Sequence, residues 1–317
     1  MTHTLRSPVV LIVFNRPRTT QIVFDRIRQA KPNLLMIIAD GPRADRPSET
    51  ALCGTVRKIV EKVDWPCQVL TNYSSDNMGC RRRVASGLDW VFHNVEEAII
   101  LEDDCLPDPT FFHFCEELLV RYHDEKRVLQ VSGSNFLFSR CEIRDSYYFS
   151  RYPQCWGWAT WRRAWQHYDV DMRAWKVNRE RYLAQFTDPK ERAFWATSWD
   201  NTYSGALDTW DSQWMLVYLE TSGLSIVPKA NLVTNMGFGA DATHTRSRLA
   251  AIRPAFKSVR FPLQHPSNVV RHVQADELTA RRLFYQRSVL GKATEVVKRR
   301  VLALTSRMRS SAEACVL

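Results

Sequence analysis

Three carboxylates in a row, Glu102-Asp103-Asp104, end the apolar run from Ala98 to Leu101. Acids so close together cannot disperse their charge, and a hard cation such as Mn²⁺ or Mg²⁺ relieves the repulsion. Such an ion prefers oxygen ligands and takes substrate phosphates to complete its shell. In an extended segment side chains alternate, which would place Glu102 and Asp104 on one side and Asp103 on the other. One acid would then grip the ion while its neighbours hold a ribose or a sugar. The competing reading is an acidic turn ahead of a helix cap, a role that Asp108 already fills. A second cluster, Arg81-Arg82-Arg83, follows Asn77-Met78-Gly79-Cys80, where a glycine turn meets a helix start. Arginines beside a helix N-terminus suit a diphosphate, and a solvated basic face is the equal alternative. Arg81 and Arg83 are the candidates from this run.

The elements that must carry these residues alternate regularly over the first 135 positions. Val9 to Phe14 is a short β-rich run, and Pro17 then opens a helix with Ile22, Val23, Ile27 and Ala30 at apolar positions. Leu34 to Ala39 is a second strand closed by Asp40-Gly41-Pro42, which is turn chemistry. Helical spacing returns at Leu52, Val56, Ile59, Val60 and Val63, then a third strand at Gln68–Leu70, then a helix through Val84, Leu88, Val91 and Phe92. Ala98 to Leu101 is the fourth strand, the helix after Asp108-Pro109 carries Phe111, Cys115, Leu118, Leu119 and Tyr122, and Val128 to Val131 closes the series. This order predicts an α/β fold, a mostly parallel sheet covered by helices on both faces. Ligands of such sheets sit outside the carboxyl ends of the strands. Asp40, the Asn72–Arg83 loop and the acidic triplet follow strands two, three and four, so all fall on one rim.

Beyond about residue 145 the texture changes: nine of the eleven tryptophans lie between Trp156 and Trp214. Most read as core, because aromatic rings bury large areas, with Trp156 and Trp158 as the two expected to form flat platforms for a sugar acceptor. Gly237-Phe238-Gly239 and the residues up to His244 form a glycine-rich segment that suits a lid. From Arg281 to Arg309 there are nine basic residues and one acid, with Ala293, Val297, Val301, Leu304 and Met308 at helical spacing. Such a helix either packs on the domain or lies on an anionic membrane surface. The formal charge of +10 implies an anionic partner, and no nucleic-acid motif accompanies it, so nucleic acid is not expected. The eight cysteines contain no C-x-x-C pair, which argues against zinc-ribbon and thioredoxin readings. The longest apolar run near the N-terminus, Pro8 to Phe14, is too short for a span or a signal core. The expectation is a cytoplasmic protein with reduced thiols, peripheral on the inner membrane face if the basic helix binds lipid.

Several of these segments, in the same order, resemble N-acetylglucosaminyltransferase I. Ile99-Ile100-Leu101-Glu102-Asp103-Asp104 with Pro109 and Phe111-Phe112-x-Phe114 is similar to that family's acidic motif and following helix. Pro153-x-x-Trp156-Gly157-Trp158, Trp210-Asp211-x-x-Trp214-Met215 (one residue longer than the family's segment) and Phe238-Gly239 with His244 are similar to later motifs. The resemblance spans roughly residues 8 to 245. It implies the GT-A glycosyltransferase fold, with Rossmann-like topology and a DxD-like motif. Asp104 would ligate Mn²⁺ (or Mg²⁺), with His244 in a metal or phosphate role. Asp103 would sit near the ribose, Glu102 near the transferred sugar, and Arg16 and Asp40 against the nucleotide. Asp211 would be the catalytic base. Flanking tryptophans would desolvate it and raise its pKa, and Asp208 is its nearby competitor.

The implied organisation is a nucleotide-sugar-binding half over 1–135 and an acceptor-binding, catalytic half of the same domain over 136–260. A basic helical extension follows over 261–317. The expected activity is inverting, metal-dependent transfer of a sugar, N-acetylglucosamine or another hexose, from a UDP-sugar. The acceptor would be a glycan or lipid-linked glycan, as in polysaccharide biosynthesis. The alternatives are a nucleotidyltransferase that makes a nucleotide sugar and a non-catalytic carbohydrate-binding protein. The loop Asn15-Arg16-Pro17-Arg18 lacks the glycine and lysine that a triphosphate loop would offer, and tryptophans alone do not explain the acidic triplet.

Overall fold

The computed structural model of the protein describes residues 5–137, 140–237 and 256–285. The strands are β1 (Val9–Val13), β2 (Leu34–Ala39), β3 (Gln68–Tyr73), β4 (Glu97–Glu102), β5 (Cys105–Pro107), β6 (Val128–Ser132), β7 (Tyr147–Ser150), β8 (Trp158–Trp161), β9 (Leu224–Pro228) and β10 (Val233–Asn235). The helices are α1 (Pro17–Ala30), α2 (Ser48–Val60), α3 (Gly79–Asn94), α4 (Thr110–Arg121), α5 (Arg162–Trp165), α6 (Trp175–Leu183), α7 (Pro189–Tyr203), α8 (Asp211–Thr221) and α9 (Val273–Ala280).

Every residue of β1 is buried, because the strand has helices on both faces. Side-chain alternation divides it between two layers. Val9, Leu11 and Val13 pack with Val23, Phe24 and Ile27 of α1 and Val56 of α2. Val10 and Ile12 pack with Val84, Leu88 and Val91 of α3. Eight strands form the main sheet in the order β3-β2-β1-β4-β8-β6-β9-β7. β3, β2, β1 and β4 are mutually parallel, and β6 pairs parallel with β9. β8 runs antiparallel to both β4 and β6, and β7 runs antiparallel to β9. The sheet is thus mostly parallel and Rossmann-like.

The Trp-rich part continues this sheet rather than leaving it. Its strands have only three to five residues, too short to reveal a period in the sequence. Gly157 enters β8 with φ +64°, and a Cβ there would meet the Val233 side chain at 2.7 Å. A small antiparallel pair, β5 with β10, lies directly after the acidic triplet, with Asn235 opposite Cys105. Near the end of the described chain, α9 is tied to the sheet edge through buried Asp276, which accepts from Ser150 and Arg271. Of the predicted basic extension, residues 286–317 lie outside the described residues, and with them the apolar stripe and any membrane contact. Among the described residues no helix is long and apolar enough to cross a membrane.

Candidate active site

Strand order reverses beside β1: the chain runs outward to β2 and β3 on one side and to β4 on the other. Loops leaving β1 and β4 therefore diverge, and the crevice between them is where open α/β sheets hold ligands. Arg16 follows β1 and Glu102-Asp103-Asp104 end β4, so the acidic triplet sits at this switch point. A cleft of about 540 Å³ opens there. Arg16, Asp40, Arg83 and the three acids line it from the first half, and Trp156, Thr209 and Asp211 from the second.

The triplet does not alternate as an extended strand would. β4 ends at Glu102, and Asp103 and Asp104 form a turn that brings both carboxylates to one cation. Arg16 Nη1 lies 2.7 Å from Asp104 Oδ2 and 3.4 Å from Asp103 Oδ1. Asp103 is also anchored by the Phe14 backbone N–H, which donates to Oδ2 at 3.2 Å. Asp104 Oδ1 accepts from Asn235 Nδ2 at 3.3 Å, and the Met236 N–H donates to the Asp104 carbonyl at 2.7 Å. Gly237 closes the other flank, since a Cβ there would lie 2.1 Å from Asp104 Oδ2. Asn235 was not anticipated, and Gly237 was expected only as the start of a lid; nothing local in the sequence joins Asn235 to an acid 131 residues away.

Burial lifts the Glu102 carboxyl to about 8, with Asp104 and then Asp103 adding like-charge repulsion. Burial, then Asp104, lifts Asp103 to about 7 against the opposing pull of Arg16. The folded chain therefore binds more protons than the unfolded chain from about pH 4 to about pH 8, and stability falls as pH rises through that window. Without divalent metal, the melting temperature should drop by about 4 °C between about pH 6 and about pH 8.5, on the order of 2 kcal/mol. Glu102→Gln should remove most of that slope. A flat profile in the parent protein would mean that the triplet is ionised throughout.

The residues fit a hard cation in a particular way. Among the described residues no group of three His, Cys, Asp or Glu side chains could hold a metal ion. Mg²⁺ and Mn²⁺ sites commonly use one or two carboxylates and leave the remaining positions to phosphate and water. Asp104, turned into the cleft and already facing a cation, is suited to that half-built arrangement. His244 lies outside the described residues.

The remaining candidates divide. Asp40 lines the cleft, but Oδ1 accepts from the Gly41 and Met78 N–H groups and Oδ2 from Asn77 Nδ2, all at 2.9–3.0 Å. It thus clasps the loops after β2 and β3, and burial raises its pKa. Arg83 reaches the cleft wall and donates to the Asn72 carbonyl and side chain at 2.6 and 2.7 Å. Arg81 points elsewhere: its guanidinium donates to the Val170 and Thr202 carbonyls, fastening α3 to the Trp-rich half. Nor is the α3 N-terminus open to a diphosphate. Asp208 accepts from the Cys80 and Arg81 N–H groups at 2.9 and 3.0 Å, satisfying amides that would otherwise face a ligand.

That cap removes Asp208 as a competitor for Asp211, which stands at the first turn of α8 and accepts from the Thr209 hydroxyl. The expected desolvation by flanking tryptophans is not present: Trp210 and Trp214 are buried while Asp211 is exposed. Trp156 lines the cleft, its ring edge-on to Phe136 at 5.0 Å. Trp158 does not serve as a platform. It is 1% exposed, stacked on Trp210 at 5.4 Å and packed on Trp165 and Trp214, because the β8 pleat turns it into the core.

No family model matches this sequence, and no curated protein matches it. Among solved structures the chain is similar to UDP-glucose pyrophosphorylase complexed with UDP-glucose. The identity is 9% and the TM-score 0.39, over 78% of this chain and 96% of that one.

Proposed function

We propose that the protein is a metal-dependent glycosyltransferase acting on a nucleotide-diphosphate sugar, with a UDP-sugar favoured by the sequence resemblance. The observation that carries this reading is the shared cleft. An acidic turn at the strand-order reversal faces a second wall holding an exposed carboxylate, Asp211, and an indole, Trp156.

The nucleotide lies along the rim by Asp40 and Arg83, with its diphosphate toward Arg16 and Asp104. A divalent cation, when bound there, offsets charge on the departing diphosphate. The acceptor sugar rests on Trp156 with a hydroxyl near Asp211. As the hydroxyl oxygen attacks the anomeric carbon, its proton passes to the Asp211 carboxylate. The bond from that carbon to the phosphate oxygen breaks, and its electron pair leaves with the nucleoside diphosphate. A single displacement of this kind inverts the anomeric centre. The Thr209 hydroxyl bond orients Asp211 for the transfer.

The test is a panel of nucleotide sugars with Mn²⁺, with and without EDTA, scored for release of nucleoside diphosphate. Release from one donor that EDTA abolishes supports the reading and names the sugar. Asp211→Asn should lower kcat by about 1000-fold with little change in donor affinity. Formation of pyrophosphate from a sugar phosphate and a nucleoside triphosphate would instead assign a nucleotidyltransferase. If no nucleotide sugar binds with any divalent ion, the enzyme reading fails.

A further inference from the structure

The chemistry of the cleft changes along its length. Charged side chains crowd the end made by the first half, where Arg16, Asp40, Arg83 and the three acids meet. Past Asp211 the wall is different: segments 152–156, 194–198 and 283–284 contribute no charged side chain to it. Phe284 sits among three rings, its centroid 4.8 Å from Trp195, 5.0 Å from Phe194 and 5.3 Å from Tyr152. Phe194, Leu283 and Phe284 are nonetheless only partly covered, and all three line the cleft. This apolar end is close to the proposed base. Ser198 lies one turn along α7 from Phe194 and Trp195, and its hydroxyl is 3.3 Å from that of Ser212, the residue after Asp211.

We propose that this end is a subsite for an apolar aglycone, so that the acceptor is a sugar carrying a hydrocarbon substituent rather than a wholly polar glycan. The inference rests on the glycosyltransferase reading and names its acceptor class. A sugar on Trp156 with one hydroxyl near Asp211 has the charged donor end on one side. Its substituent then leaves along the wall of Phe194, Leu283 and Phe284. A hydrocarbon chain covering these side chains releases the water held against them. A second sugar unit could stack on the same rings, but its hydroxyls would lose water without regaining partners. Ser198 is engaged with Ser212, and the Tyr152 hydroxyl donates to buried Glu191. Among the side chains of these segments that leaves Gln154 and the buried Trp195 N–H, which has no acceptor among the described residues. Two such groups suit the link between sugar and aglycone better than a whole sugar ring.

The test uses matched methyl and octyl β-glycosides of glucose, galactose, mannose and N-acetylglucosamine as acceptors, below micelle-forming concentrations. The donor is the nucleotide sugar that the release panel identifies, with Mn²⁺. For the sugar that is accepted, the octyl glycoside should exceed the methyl glycoside by about 30-fold in kcat/KM, nearly all of it in KM. Phe194→Ser and Phe284→Ser should each lower that ratio by about fivefold. Calorimetry on the parent protein with Mn²⁺ and the matching nucleoside diphosphate serves if these variants do not fold. There the octyl glycoside should bind about tenfold tighter than the methyl glycoside, with a negative heat-capacity change. Equal kcat/KM for the two glycosides, or an octyl preference that survives both serine substitutions, would overturn the subsite and leave the transfer reaction standing. If the donor turns over and no glycoside accepts the sugar, the calorimetric preference, present or absent, decides in its place. Failure to release nucleoside diphosphate from any nucleotide sugar would overturn the glycosyltransferase reading, and this acceptor class with it.

Discussion

Asp104→Asn should lower metal-dependent sugar transfer by about 1000-fold, equivalent to about 4 kcal/mol of transition-state stabilisation, and leave the metal-free protein no less stable. The asparagine keeps the size of the side chain and can still bond Asn235, but it removes the oxygen charge that faces Arg16 and the proposed cation. Stability should hold because the change has two opposing parts. It weakens an ion pair with Arg16, and it removes the acid whose repulsion adds most to the burial that lifts Glu102 to about 8. Melting in EDTA is the control that separates a lost ligand from a lost fold. A melting temperature equal to or above the parent's, with activity gone, places the defect in the chemistry. Full Mn²⁺-dependent activity in the variant would show that the cation is held elsewhere.

A second large effect should appear well away from the acids. Trp214→Ala should cost about 5 kcal/mol in urea denaturation, a large share of the 5–15 kcal/mol that domains usually have. Trp214 is fully buried, and its ring lies 5.5–6.4 Å from the rings of Trp158, Trp165, Tyr168 and Tyr218. Its Nε1 also donates at 2.7 Å to Oε1 of Gln130, a fully buried side chain on β6. Truncation therefore opens a large cavity and strands a buried acceptor, two costs that add. Trp214→Phe keeps much of the volume and loses mainly the hydrogen bond, so about 2 kcal/mol is expected. A loss below about 2 kcal/mol for the alanine variant would mean that the aromatic layer closes over the gap. The cluster also holds the helix that begins with Asp211, a residue of the cleft wall.

Which parts of this were visible in the chain alone follows from how far each interaction reaches. The alternation of Val9–Val13, Leu34–Ala39, Gln68–Tyr73 and Glu97–Glu102 with helices is a local pattern, legible because apolar periodicity is set by neighbours a few residues apart. That pattern fixes a parallel sheet, and a parallel sheet fixes the rim on which Arg16, Asp40 and the acidic turn must meet. Composition and position thus located the crevice, and the charge of the triplet supports the chemistry proposed for it.

Local pattern did not assign the individual roles, because each was settled by a partner distant in sequence. Asp208 and Asp211 look alike in the chain, yet packing brings Asp208 to the α3 N-terminus 128 residues away and leaves Asp211 at the cleft. Arg81 and Arg83 sit two positions apart in one helix, so they face different directions, one to the Val170 carbonyl and the other to Asn72. Trp156 and Trp158 are separated by Gly157, whose left-handed backbone breaks the alternation that would have put both on one face. The turn after Glu102 likewise overrode the strand period and gave Asp103 and Asp104 a common cation. Chain propensity determined the sheet and the place of its opening. Only the packing of the second half against the first decided which charges face that opening, because a buried polar group must satisfy its bonds with whatever the fold brings beside it.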